Sequence, residues 1–327
     1  MKILFDATSS SNYHTMPLSL FEELQKGLSK HNLVYVRNNQ VENEIEDTDI
    51  LVCYNFSKDN FSKAKKLKLV IYATDGMGTK RLFPELINSD IIVTNSRGCR
   101  SQAIAEHSVM LILACSRNLP FMMENITTEG WWGSNVANNI YLPGEISGKT
   151  IMVLGLGNIG SRIAKIVKKG FGMKVIGVVK HPRELDNADI VIPLEQITKY
   201  LPETDIVAIT LPETLETEKL FGKKEFEAMK ENTILINVSR GGVIETNEIV
   251  NALNSGRLAY AGLDVFDEEP LPANHPIRTC KNVIMTPHAS GITPYFWARF
   301  GAIIKKNIIN FESGQPLINL VDKSSGY

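Results

Sequence analysis

The stretch Val153-Leu154-Gly155-Leu156-Gly157-Asn158-Ile159-Gly160 constrains this chain more than any other. The apolar run Thr150 to Leu154 predicts a buried strand, and a glycine turn follows it. Ile159, Ile163, Ile166 and Val167 then recur at helical spacing, with Lys168 and Lys169 in the last turn and Gly170 as the stop. Strand, G-x-G-x-x-G, then helix is the setting in which this pattern binds a dinucleotide. Gly155 permits the tight turn, Gly157 lets backbone amides approach a pyrophosphate, and Gly160 lets helix and strand pack closely. Leu156, Asn158 and Ile159 complete the turn, and the helix start supplies partial positive charge for phosphate. A ligand-free glycine turn is the alternative, and the correct flanks on both sides argue against it.

The rest of the chain supports a nucleotide-binding architecture. At 327 residues it is long for one core and predicts two domains. Over the first hundred residues, Ile3–Phe5, Leu33–Val36, Ile50–Val52, Leu69–Tyr72 and Ile91–Val93 read as strands, with amphipathic stretches such as Leu18–Leu28 between them. This βαβ rhythm implies a parallel sheet covered by helices. A helix is expected over Ser101–Arg117, apolar nearly all round and therefore buried. A long loop is expected over Asn118–Gly148, carrying Trp131 and Trp132. A second series then begins, with strands at Ile151–Leu154, Lys174–Val179, Ile190–Ile192, Ile206–Thr210, Ile234–Val238, Tyr260–Val265 and Val283–Met285. Helices are expected at Lys223–Met229, Thr246–Ser255 and Pro294–Glu312. The fold class is thus α/β, built from doubly wound parallel sheets.

Bulk properties narrow the partners. A net charge of −1 argues against nucleic acid, which demands a basic stripe. Cys53, Cys99, Cys115 and Cys280 form no C-x-x-C and no zinc spacing, so reduced thiols and no metal site are expected. The N-terminus lacks a signal-peptide pattern, and the longest apolar segment, Ser108–Cys115, is too short to span a membrane. A cytoplasmic protein with no membrane partner is expected.

Three ionisable residues fall just after predicted strands of the second series. Arg240 ends Ile234-Leu235-Ile236-Asn237-Val238-Ser239 and precedes two glycines. Asp264 ends a second strand, with Glu269 five residues on. His288 follows Val283-Ile284-Met285-Thr286-Pro287. Ligands of open α/β sheets bind outside the carboxyl ends of the strands. Singly, each residue could be a solvated loop charge; jointly, beside the glycine turn, an Arg, an acid and a His form a working set.

In order along the chain, Gly155–Gly160, Asn237-Val238-Ser239-Arg240-Gly241, Leu263-Asp264-Val265-Phe266 through Glu269-Pro270, and Thr286-Pro287-His288 resemble the motifs of the D-isomer-specific 2-hydroxyacid dehydrogenases. Val93-Thr94-Asn95 and Ala105-Glu106-His107 match the same pattern upstream. The resemblance implies a Rossmann cofactor domain, residues 99–291, inserted into a flavodoxin-like substrate domain, residues 1–98 and 292–327, with a cleft that closes on substrate. It implies His288 as proton donor, Glu269 as the carboxylate that orients it, and Arg240 as the fork that binds the substrate carboxylate and polarises the carbonyl. It implies cofactor contacts from Leu211, Pro212, Val238, Ser239 and Gly291, and Asp264 as the residue orienting the carboxamide. It also implies a homodimer built through the Ser101 helix and the Trp131–Trp132 loop, and glyoxylate or hydroxypyruvate as substrate.

Two departures from the family pattern matter. The substrate loop is expected at Thr74, Asp75, Gly76 and Met77, where relatives often carry Ser-Ala-Gly-Val. Asp75 there is unfavourable beside a substrate carboxylate unless it points away or pairs with a cation such as Arg81. The second departure concerns the cofactor. NAD-preferring proteins place an acid at the end of the second strand, about 20 residues past the glycines. Here Val179 takes that place, followed by Lys180, His181 and Arg183, a set that suits the 2′-phosphate of NADP rather than NAD; an ordinary charged turn is the alternative. A dinucleotide-sensing corepressor of the same fold is the rival function; it would need a peptide-binding surface or disordered tails, and the expected absence of a long tail favours an enzyme reducing a small 2-oxoacid. The presence of Arg240, Glu269 and His288 together disfavours a third reading, an inactive nucleotide-binding scaffold.

Overall fold

The computed structural model describes residues 1–6, 14–37, 40–77, 81–128 and 144–324. The Trp131–Trp132 loop and Gly78 lie outside the described residues. The chain divides into two compact units, Met1–Arg100 with Ile292–Tyr327, and Ser101–Gly291.

The first unit is a five-stranded parallel sheet of β1 (Lys2–Asp6), β2 (Asn32–Tyr35), β3 (Ile50–Cys53), β4 (Leu69–Tyr72) and β5 (Ile92–Asn95), in the order β2-β1-β3-β4-β5. This is the flavodoxin-like order. Every residue of β3 and β4 is buried, as expected of parallel strands covered by helices on both faces. The helix Phe296–Glu312 buries Phe296, Phe300, Ile304 and Ile308 in this core.

The second unit has seven parallel strands: β6 (Thr150–Leu154), β7 (Lys174–Val178), β8 (Ile190–Ile192), β9 (Ile206–Ile209), β10 (Thr233–Asn237), β11 (Leu258–Leu263) and β12 (Val283–Met285). Their order is β12-β11-β10-β9-β6-β7-β8. The order reverses between β6 and β9, which is the topological switch point where doubly wound sheets bind nucleotides. All twelve expected strands are present.

Two helical expectations need correction. The helix after the glycine turn runs Gly160–Phe171, past Gly170, and stops at Gly172. Gly172 takes φ 63°, the left-handed conformation that glycine adopts without a Cβ penalty, and its amide caps Val167 O. The expected loop after Asn118 begins instead with a helix, Leu119–Thr128. Asn118, at φ 53°, breaks the preceding helix Ser101–Ser116, and Pro120 sits in the new first turn, where its missing N–H costs nothing.

Candidate active site

The glycine turn stands at the switch point. Gly155 follows β6 with φ 90°, and its amide donates to Val178 O at 2.9 Å. A Cβ on Gly160 would lie 2.0 Å from Gly155 O, so only glycine allows this approach. Thr210, just past β9, donates to Gly155 O at 2.7 Å and ties the two strand ends together. Around Gly157 there is open space. The amides of Gly157, Asn158 and Ile159 have no acceptor among the described residues, and no acid occupies the first turn of the helix they precede. An uncovered run of amides at an unneutralised helix start fits a dinucleotide pyrophosphate.

At the end of β7, the Val179 amide donates to Ile192 O at 3.0 Å. Lys180 Nζ pairs with Glu216 at 3.0 Å, both side chains being well exposed. His181 and Arg183 are exposed and make no hydrogen bond or ion pair to a described residue. Leu211 is half-buried, Pro212 is exposed, and Val238 is buried at the end of β10.

The chemistry-bearing loops leave three neighbouring strands from a single rung of the sheet. Asn237 of β10 pairs with Leu263 of β11, which pairs with Met285 of β12. Arg240 lies three residues past its rung position, Glu269 six and His288 three. His288 Nδ1 and Glu269 Oε2 are 2.6 Å apart. Glu269 Oε1 accepts from the Phe266 amide at 2.9 Å, so both carboxylate oxygens are fixed. The loop carrying Glu269 is braced by Asp267, which accepts from Thr246 Oγ1 at 2.6 Å and bonds His275 at 3.0 Å. Burial pulls the Asp267 carboxyl upward, but these two partners outweigh it and hold it below its ordinary range.

Arg240 is shaped by its own turn. Buried Asn237 donates to Arg240 O at 2.9 Å and accepts from Ser239 N and Oγ. The Arg240 guanidinium donates to Ser239 O at 2.7 Å, and no carboxylate among the described residues pairs with it. A Cβ on Gly241 would lie 1.8 Å from the Phe266 carbonyl carbon, so the Arg240 and Glu269 loops touch backbone to backbone there.

Asp264 is fully buried, and the His288 loop is folded around it. Its Oδ1 accepts from Thr286 Oγ1 at 2.5 Å and the Ala289 amide at 2.9 Å, and its Oδ2 accepts from the Ser290 amide at 2.9 Å. The His288 amide donates to Asp264 O, also at 2.9 Å. His107, on the helix Ser101–Ser116, reaches Thr286 Oγ1 with Nε2 at 3.0 Å. The single Thr286 hydroxyl proton goes to the carboxylate, so His107 Nε2 is the donor and the hydroxyl accepts from it. Burial holds the His107 imidazole below its ordinary range, against the pull of Asp264. Replacing Thr286 with Val should lower kcat by about tenfold, the size of one lost charge-assisted hydrogen bond, while Thr286→Ser retains most of it. Equal rates for Thr286→Val and the parent would mean that the hydroxyl does not hold the loop.

Thr74, Asp75, Gly76 and Met77 lie in the first unit, directly after β4. The cation on Asp75 is Arg100 rather than the anticipated Arg81: Arg100 Nη1 bonds Oδ1 at 3.1 Å, beside Ser96 Oγ at 2.7 Å. The guanidinium lies 3.5 Å over the Phe296 ring. Burial raises the Asp75 carboxyl, opposed by Arg100, Ser96 and the Gly98 amide. Asn95 donates to Asp75 O at 3.0 Å, and Thr74 Oγ1 donates to Gly76 O at 3.2 Å, so the loop is pinned on both sides of the acid. Met77 is buried. The four cysteines are free and buried. Among the described residues there is no metal-ligand cluster and no helix long and apolar enough to cross a membrane.

Known proteins are similar to this chain in sequence and fold. The profile of the D-isomer specific 2-hydroxyacid dehydrogenase NAD binding domain matches residues 109–290. A glyoxylate reductase of Aeropyrum pernix is 35% identical over 268 residues, 81% of this chain and 79% of that protein. The crystal structure of a D-isomer specific 2-hydroxyacid dehydrogenase from Xanthobacter autotrophicus Py2, in complex with NADPH and MES, superimposes with a TM-score of 0.84 at 28% identity. It covers 100% of this chain and 99% of its own. A family protein from Aeromonas salmonicida gives a TM-score of 0.82 at 32% identity, covering 98% of this chain and 99% of its own. With its glycine turn at the switch point and its Arg, Glu and His on adjoining strand ends, the chain belongs to the D-isomer specific 2-hydroxyacid dehydrogenase family and is an NAD(P)-dependent oxidoreductase.

Proposed function

We propose that this protein reduces a small 2-oxoacid to the D-2-hydroxyacid with NADPH, using His288 as the proton donor. The observation that carries the proposal is the 2.6 Å contact between His288 and Glu269, on the strand end beside an Arg240 that has no acidic partner among the described residues. The second unit binds the cofactor, its pyrophosphate on the amides of Gly157–Ile159, while buried Asp264 holds the His288 loop in place. In the first unit, the Thr74–Met77 loop that the family resemblance names as a substrate contact has its Asp75 neutralised by Arg100.

The bound nicotinamide supplies a hydride to carbon 2. Arg240 holds the substrate carboxylate with its planar donor fork and draws electron density from the carbonyl. Glu269 keeps the proton on His288 Nδ1, so the transferable proton sits on Nε2 and passes to the carbonyl oxygen. The imidazole is then left neutral, with its Nδ1–H still donated to Glu269. Exposed Leu119, Met123 and Ile126 on the helix Leu119–Thr128 support a homodimer, which we place in the cytoplasm.

The cofactor preference rests on the β7 end, where Val179 stands in place of an acid and His181 and Arg183 are uncommitted. Glyoxylate-dependent oxidation of NADPH should exceed that of NADH by about tenfold or more in kcat/KM. Replacing Arg183 with Ala should remove most of that difference. A parent enzyme that prefers NADH would keep the reductase and discard the assignment of these cations.

A further inference from the structure

The second unit holds a cavity of about 660 Å³ whose wall includes His288, Glu269 and Arg278. That volume admits an organic ligand of several carbons. Much of the remaining wall is apolar, with Phe266, Leu271 and Met285 among its residues. Apart from His288 Nε2, the proposed proton donor, the polar groups beside them are committed elsewhere: His288 Nδ1 and Glu269 to each other, and the Thr286 hydroxyl to Asp264.

Arg278 is the exception. Its Nε donates to Pro272 O at 2.8 Å and its Nη2 to Leu271 O at 2.9 Å. Two carbonyls of its own wall therefore hold the guanidinium in place and leave Nη1 uncommitted. No carboxylate among the described residues pairs with it. A guanidinium fixed in advance, without an anion, in the cavity that also holds the proton donor is a ready anion site.

We propose that Arg278 binds a second anionic group on the substrate, so that the enzyme prefers 2-oxoacids bearing a carboxylate or phosphate at the end remote from the oxoacid carboxylate. The inference rests on the 2-oxoacid reductase reading given above. Within this cavity His288 faces the carbonyl end of the substrate, Arg278 the distal anion, and the apolar wall the carbons between them. The chemistry at carbon 2 is unchanged.

The test is the initial rate with NADPH for glyoxylate and pyruvate, for oxaloacetate and 2-oxoglutarate, and for phosphohydroxypyruvate. At least one dianion should exceed glyoxylate by about tenfold or more in kcat/KM, and the better of the dicarboxylates and the phosphate names the group. Arg278→Met should lower the dianion-to-glyoxylate ratio by about 10- to 100-fold, as losing a charge-assisted hydrogen bond does, chiefly through KM. Arg278→Lys, which keeps the charge and loses the fork, should recover part of the ratio. The proposal falls if glyoxylate matches every dianion in the parent enzyme, or if Arg278→Met leaves the ratio in place. Failure of the reductase reading looks different, because then no 2-oxoacid is turned over with either nicotinamide cofactor.

Discussion

Replacing His288 with Ala should lower kcat for 2-oxoacid reduction by roughly 10³-fold, within the range contributed by a positioned general acid. The dissociation constant for NADPH, read from fluorescence titration, should change by less than about twofold, or under 0.5 kcal/mol. The role proposed for the imidazole rests on its surroundings. Its Nδ1 is held by Glu269 Oε2 at 2.6 Å, and its backbone amide is held by Asp264 O at 2.9 Å. His288 takes φ 50°, a left-handed conformation that a residue with a Cβ adopts at a cost. The loop folded on Asp264 sustains that cost. The side chain is also half exposed, so truncation to Ala removes little packing. Turnover by the variant equal to that of the parent would remove His288 from the proton step altogether.

Gly241→Ala should be the most damaging single methyl addition in the second unit. The new Cβ would meet the Phe266 carbonyl carbon at 1.8 Å, the Phe266 oxygen at 2.1 Å and the Asp267 nitrogen at 2.2 Å. All three are backbone atoms, so no rotamer change relieves the clash. The two loops must separate, and Asp267, Thr246 and His275 brace the second of them. We expect a loss of about 4 kcal/mol or more in unfolding free energy, in the class reserved for backbone overpacking. Activity should fall with it even in the fraction that stays folded, because Arg240 precedes Gly241 directly and Glu269 follows Phe266 by three residues. A variant that kept both the parent unfolding midpoint and the parent rate would show that the loops do not meet as described. Gly157→Ala is the control for stability: nothing lies within 4 Å of its Cβ position, so the fold should tolerate it while cofactor binding weakens.

The strands were legible because parallel strands buried on both faces read as short apolar runs, as Leu69-Val70-Ile71-Tyr72 and Ile206-Val207-Ala208-Ile209 do. Arg240, Glu269 and His288 were legible because each follows such a run closely. The helix Leu119–Thr128 was not, since a left-handed Asn118 and Pro120 carry the local chemistry of a loop while tolerating a helix start. Arg81 was the cation near Asp75 in sequence, but the fold brings Arg100, 25 positions away, to its carboxylate. His107 and Thr286 stand 179 positions apart, and no periodicity links them. The Thr246–Asp267–His275 brace was equally silent, because its members lie on a helix, a loop and a short turn whose meeting is a property of the assembled sheet.

The shared rung Asn237–Leu263–Met285 makes the sheet a ruler for the reaction. Each loop is measured from the same line, and a step along a strand is about 3.3 Å. Slipping one strand by one residue would move its side chain by more than the whole 2.6 Å contact between acid and carboxylate, and would turn it to the opposite face. The accuracy of the His288–Glu269 contact is therefore inherited from backbone ladders buried in the interior rather than from the exposed loops that carry it. Length changes at the far, amino-terminal ends of these strands leave the ruler untouched; between rung and loop tip, one residue is already too many.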